Sequence, residues 1–209
     1  MRDVTELRKW EESQRLLIGE LNHRVKNMLA VTQSIARQTQ RTTSDVDAFS
    51  KAFSNRLRAL AAAHDILTRR RWSGAELEEI AHAAVDSFSV SGDQTSIQGP
   101  HIRLGPDATI TFAMALHELA TNALKYGSLS VPEGHVNISW NILADQRIVV
   151  EWIESGGPKV VAPSRKGFGT RLLEQGIARE LDGVVQTEYR KDGFYWRMEF
   201  AVTEGTESA

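Results

Sequence analysis

No cysteine occurs in the 209 residues, so disulfides and thiolate-held metals are excluded. No run of about twenty apolar residues is available to span a bilayer. The polar start Met1-Arg2-Asp3-Val4-Thr5-Glu6 also lacks the apolar core of a secretory signal. Charge of one sign is missing as well: a formal net charge of -2 provides no general attraction to nucleic acid or to an anionic membrane. Cytoplasmic residence is therefore expected, with no nucleic-acid partner and no membrane insertion of this chain. What remains, 41% hydrophobic and 25% charged residues, is ordinary for a globular chain of one large or two small domains.

Proline is absent between about Leu7 and Gln40, where Gly19 is the only glycine. There Ile18, Leu21, Val25, Met28, Thr32, Ile35 and Thr39 alternate steps of three and four, which is a heptad seam. Thr42-Thr43-Ser44-Asp45 reads as a turn and N-cap, followed by a second helix carrying Phe49, Phe53, Leu57, Leu60, His64 and Leu67. Two long helices on a short link predict an antiparallel hairpin. Alone it exposes an apolar seam, so a homodimer forming a four-helix bundle is expected. If Leu21 and Val25 face that seam, His23 points outward, whereas His64 falls on the seam phase and reads as a packed histidine.

Beyond a hinge at Arg69-Arg70-Arg71-Trp72-Ser73-Gly74 the period changes. Glu76 to Phe88 predicts a helix, Gln94 to Leu104 strands broken at Gly99-Pro100, and Pro106 to Tyr126 a long helix with proline at a favoured first position. Alternation predicts antiparallel strands in His135 to Leu143 and Arg147 to Glu154, and a hairpin from Val184 to Tyr189 and Phe194 to Val202. Thr170 to Leu181 reads as a helix, and residues after about Thr203 are expected to fray. The second half is thus α+β, with helices on one side of a mainly antiparallel sheet.

The helix Pro106 to Tyr126 carries a polar stripe on an otherwise apolar surface. Glu118 and Asn122 are four residues apart and Lys125 three further on, so a carboxylate, a carboxamide and an ammonium project nearly together. Polar groups on so greasy a helix need partners, and a metal-bound polyphosphate would supply them. Two glycine segments follow: Glu154-Ser155-Gly156-Gly157-Pro158 off a strand, and Lys166-Gly167-Phe168-Gly169-Thr170 opening a helix, where free amides favour phosphate.

These residues resemble the ATP-binding domain of GHKL proteins, and within it the HWE group of sensor histidine kinases. The N-box is matched by Glu118, Asn122, Lys125 and Tyr126, the first glycine box by Glu154, Gly156 and Gly157, and the second by Gly167, Gly169 and Thr170. The naming residues of the group stand at His117 and in Trp152-Ile153-Glu154. Upstream, Leu21-Asn22-His23-Arg24-Val25-Lys26-Asn27 resembles the phosphoacceptor box and Ala63-His64-Asp65-Ile66-Leu67 its second helix.

The resemblance implies an α+β chain in three parts: a signalling linker at 1–17, a dimerisation and histidine phosphotransfer hairpin at 18–70, and a GHKL or Bergerat-type α/β sandwich that binds ATP at 75–203. It implies a two-component sensor histidine kinase core that uses ATP and Mg²⁺ to phosphorylate His23 and passes the group to an aspartate of a response regulator receiver. Glu118 would be catalytic and, with Asn122, a metal residue. His117, Asn122, Lys125, Tyr126, Trp152, Glu154, Gly156, Gly157, Gly167, Gly169 and Thr170 would bind ATP. On strand alternation alone Trp152 reads as core. Arg24 stands where the more familiar box has an acid, so the base for His23 is left open. Arg2-Asp3-Val4-Thr5-Glu6 resembles the exit of PAS-type domains and implies an upstream sensor. Two other readings remain: a phosphotransfer adaptor with a degenerate ATP domain, and a GHKL ATPase or serine kinase.

Overall fold

The computed structural model describes residues 4–43, 45–86, 88, 94–162, 168–201 and 207–208. It separates into two compact units, Met1–Leu57 and Arg58–Ala209. Among the described residues no helix is long and apolar enough to cross a membrane.

The first unit holds α1 (Val4–Thr42) and the beginning of α2 (Val46–Arg69). Asp45 starts α2, its Oδ1 accepting from the Ala48 amide at 2.8 Å, which satisfies one of the donors a helix start leaves open. The heptad seam of α1 is graded. Ile35 and Thr39 are buried, Met28 and Thr32 half-buried, and Ile18, Leu21 and Val25 exposed. Thr39 is held in place by its neighbours: its hydroxyl donates to the Ile35 carbonyl at 2.6 Å and accepts from Arg56 Nη1 at 2.7 Å.

The second unit begins within α2, whose Ala63 and Ile66 join the core of that unit. His64 is half-buried there, edge-on to the Trp72 ring at 5.3 Å and 3.4 Å from the Thr68 hydroxyl, so it is the packed histidine its phase predicts. Next come β1 (Ala75–Glu76), α3 (Leu77–Val85), β2 (Thr95–Gln98), β3 (Ile102–Leu104) and α4 (Pro106–Tyr126). The expected helix from Glu76 to Phe88 is shorter at both ends. Ala75 and Glu76 are claimed by pairing with Leu104 and Arg103.

Then follow a short 3-10 turn Ser128–Ser130, β4 (His135–Ile142), β5 (Arg147–Ser155), α5 (Phe168–Arg171), a π-helical segment Leu172–Gly176, α6 (Ile177–Glu180), β6 (Val184–Arg190), β7 (Gly193–Ala201) and β8 (Glu207–Ser208). The helix expected from Thr170 to Leu181 is present but widened through its middle into a π turn.

The main sheet runs β2-β4-β5-β7-β6, antiparallel except for the parallel pair β2 and β4. The segment broken at Gly99-Pro100 supplies two different sheets, since β3 pairs with β1 and β8 instead. Pairing of Glu207 and Ser208 with Arg103 and Ile102 corrects the expectation that everything after Thr203 frays. Backbone hydrogen bonding to a free strand edge recruits even small polar residues.

One sheet face is apolar and buried: Val136, Ile138 and Trp140 of β4, Ile148, Val150 and Trp152 of β5, and Trp196, Met198 and Phe200 of β7. Against it pack Phe112, Leu116, Leu119, Ala120 and Ala123 of α4, with Leu173 and Ile177. This α+β layering is the expected fold class, and it leaves α4 lying on the sheet with its polar stripe at the side.

Candidate functional site

Two groups of predicted residues are brought together along α4. The first lies at mid-helix. Glu118 and Asn122 are half-buried, and the chain returns to them at Gly169 in α5. A methyl group at 169 would stand 2.7 Å from Glu118 Oε2 and 3.7 Å from Asn122 Nδ2. The missing side chain is thus what lets the second glycine segment close on the polar stripe. Thr170 follows, half-buried, whereas Gly167 lies outside the described residues.

The second group sits at the end of α4. Glu154 on β5 is only 5% exposed and is held from both sides. Its Oε2 accepts from the Ser128 amide at 2.9 Å and its Oε1 from the Trp152 indole Nε1 at 3.1 Å. Burial pushes its pKa above the usual carboxylate value, partly countered by the Ser128 and Trp152 bonds. Gly127 closes α4 against the carboxylate, and a side chain there would overlap Glu154 Oε2. Gly157 backs onto Ser128, whose Cα would be 2.5 Å from a methyl group at 157, and Gly156, at φ 69°, faces the Glu133 carbonyl. The Ser128 hydroxyl is buried without a hydrogen-bond partner among the described residues.

The remaining residues distribute around these groups. Lys125 and Tyr126 are exposed at the last turn of α4, Tyr126 at 70%. His117 is half-buried, its ring 5.2 Å from that of Phe88, and its Nε2 is enclosed with no partner among the described residues. Desolvation lowers its pKa from 6.5, opposed by Glu118 and reinforced by Arg58 and Lys125, which favours the uncharged ring. Trp152 is wholly buried and reaches the site only through Glu154. His23 belongs to the other unit, exposed on α1, as are Lys26 and Asn27. Arg2 and Asp3 lie outside the described residues.

The donor set suits Mg²⁺ with a polyphosphate. Among the described residues no cluster of three or more histidine or acidic side chains makes a ready cage. Glu118 presents a carboxylate oxygen to Gly169 and Asn122 its Nδ2, so the pair would suit an ion that keeps water and takes phosphate oxygens with the Asn122 amide turned to offer its oxygen. Sequence reading passed over Ser128, whose amide secures Glu154 across 26 positions. Only its place directly after Gly127 hinted at a role.

A family model described as HWE histidine kinase matches residues 20–101. A blue-light-activated histidine kinase of Brucella ovis is 41% identical over 197 residues, covering 92% of this chain. The chain is thus similar to HWE histidine kinases over 20–101 and to this relative over 92% of its own length. A Brucella anthropi relative of the same description is 40% identical over 195 residues. The chain spans 40% of the length of either relative. In fold it is similar to the blue-light activated histidine kinase of Erythrobacter litoralis EL346, with a TM-score of 0.64 at 18% identity over 88% of this chain and 58% of that one. The histidine kinase domain of that protein aligns at a TM-score of 0.59 and 12% identity, covering 86% of this chain and 96% of the domain. The family match spans His23 and ends before α4. That match therefore says nothing of Glu118, Asn122 and Glu154, which the geometry places beside Gly169 for the first two and at the end of the same helix for the third.

Proposed function

We propose that this chain is an HWE-group sensor histidine kinase core that binds ATP in the second unit and phosphorylates His23. The observation that carries the reading is the pair of arrangements on α4: an amide and a carboxylate facing Gly169 at mid-helix, and a fixed, buried carboxylate at its end. Glu154 accepts a hydrogen bond from the exocyclic amine of adenine, while Lys125 and the amides around Gly167 and Gly169 receive the phosphates. Tyr126 lies against the ribose or base, and His117 stays an uncharged neighbour of the polyphosphate. Asn122 and Glu118 hold Mg²⁺, which when bound neutralises charge on the phosphoryl oxygens.

His23 supplies the nucleophile. A ring-nitrogen lone pair forms the new N–P bond, the bond from the γ-phosphorus to the bridging oxygen breaks, ADP leaves, and the ring proton passes to water. Neutral imidazole is nucleophilic near pH 7, so in-line placement and charge neutralisation carry the rate. The phosphoryl group then moves to an aspartate oxygen of a response regulator receiver, an O–P bond replacing the N–P bond. The exposed seam of α1, with Leu21 at 61% and Val25 at 49%, supports a homodimer through this unit. A cytoplasmic location and an upstream PAS-type sensor complete the reading.

The test is incubation with γ-labelled ATP and Mg²⁺. Acid-labile, alkali-stable label on the chain is expected, lost in His23→Gln and reduced in Asn122→Ala. Phosphate release without such label would overturn the kinase in favour of an ATPase, and absence of ATP binding would favour a phosphotransfer adaptor.

A further inference from the structure

We infer that Trp152 is a positioning residue for nucleobase recognition: with the Ser128 amide, its indole N–H locks Glu154 in the orientation that reads the base. The inference rests on the ATP-binding reading above and adds to it the device that gives Glu154 its specificity.

Residues 152 and 154 are two apart on β5, so their side chains leave the same sheet face. Trp152 is wholly buried and touches no ligand itself. A buried indole N–H needs an acceptor. Its cross-strand partner Trp196, equally buried, meets that need with the Leu173 carbonyl at 3.2 Å, a neutral acceptor. Trp152 instead bonds a carboxylate that burial disfavours in its charged form. One backbone carbonyl would satisfy the indole, whereas the carboxylate satisfies both the indole and the Ser128 amide and still carries further lone pairs.

Each carboxylate oxygen has two lone-pair directions. The Trp152 and Ser128 backbone donors occupy one on each oxygen, the Ser128 hydroxyl stands beside the same carboxylate, and a ligand amine would take a remaining direction. A free glutamate side chain carries three rotatable bonds, and ordering it on binding costs affinity. Here that ordering is done in advance. A fixed acceptor also discriminates: it rewards a purine carrying an amine at C6 and gains nothing from one carrying hydrogen there. Loosening the lock should therefore weaken ATP selectively.

The test measures affinity of the full chain for ATP and for its analogue with hydrogen at purine C6, in the unmodified chain, Trp152→Phe, Glu154→Ala and the double variant. Trp152→Phe is expected to weaken ATP about tenfold, the scale of one hydrogen bond to a charged group, and the analogue less than twofold. In the Glu154→Ala background it should cost nothing further. Equal weakening of both ligands, or an undiminished ATP loss in that background, would overturn the inference. Because phenylalanine is smaller, benzothienylalanine at 152, which replaces the N–H by sulfur at nearly constant volume, should reproduce the ATP-selective loss, and failure to do so also refutes the lock. If the unmodified chain binds neither triphosphate, the ATP reading fails by itself. The lock is then read without ligand: Glu154→Ala should shift the Trp152 indole N–H resonance and remove its protection from exchange, and an unchanged signal would sink it.

Discussion

Replacing Gly127 by alanine should be far more damaging than its location at a helix end suggests. Its backbone angles, φ -118° and ψ -153°, are extended and open to any residue, so the substitution adds no backbone strain. The cost comes from space. The new methyl group would overlap Glu154 Oε2 and stand 2.9 Å from the Cα of Ala123, which is backbone and cannot move aside. Glu154 cannot retreat without releasing the Ser128 amide or the Trp152 indole. Overpacking of a tight core costs about 1–3 kcal/mol, and a lost hydrogen bond to a carboxylate about 1.5–3. The sum is about 2.5–6 kcal/mol, or a fall in melting temperature of roughly 5–24 °C for a unit of this size. Urea unfolding followed by tryptophan emission, which senses Trp140, Trp152 and Trp196 of the same core, reads the change. In a Glu154→Ala background the part of the cost owed to the carboxylate should vanish while the contact with Ala123 stays, leaving a coupling of at least about 1.5 kcal/mol. A loss under about 0.5 kcal/mol, or strict additivity with Glu154→Ala, would refute the contact geometry at its source.

Two further outcomes follow from the same geometry. Because desolvation lowers the His117 pKa below 6.5, the folded chain binds that proton less readily than the unfolded chain; stability held above pH 6.5 should fall as the pH drops toward the folded value. His117→Gln should flatten the difference in unfolding free energy between pH 7.5 and 5.5, and an unchanged slope would show that the ring is not desolvated. Gly169→Ala brings its methyl group to 2.7 Å from Glu118 Oε2, the mobile end of a side chain, so stability should change by less than about 0.5 kcal/mol while autophosphorylation slows roughly ten- to a hundredfold. A normal rate of labelling would remove Glu118 from the reacting centre.

Local chemistry made much of this protein readable from its residues. Proline at the first position of α4 and glycine directly after Tyr126 bracket that helix, and both bounds hold. Alternation of apolar and polar residues marks β4, β5, β6 and β7, because a sheet with one buried face imposes a period of two. The spacing of Glu118 and Asn122 put both on one stripe, and the chain does return to that stripe at Gly169. The helix bounds, the alternation and the stripe depend on near neighbours, and short-range geometry carries them; the return of Gly169 to the stripe does not.

Other features come from chain segments that meet only after folding. Nothing within Thr95–Gln98 says that it lies parallel to β4, or within Glu207–Ser208 that it joins β3. The hold on Glu154 is half local and half remote. The Trp152 bond is implicit in an i, i+2 pair on a strand, but the Ser128 amide arrives from the end of another element, and Gly127 becomes irreplaceable only because that approach is so close. The residue types of this chain thus determined its helices, its strands and the chemistry available to it. Tertiary structure alone decided which of those groups lie beside one another, because hydrogen bonds and close contacts between distant segments depend on packing, and no local pattern records them.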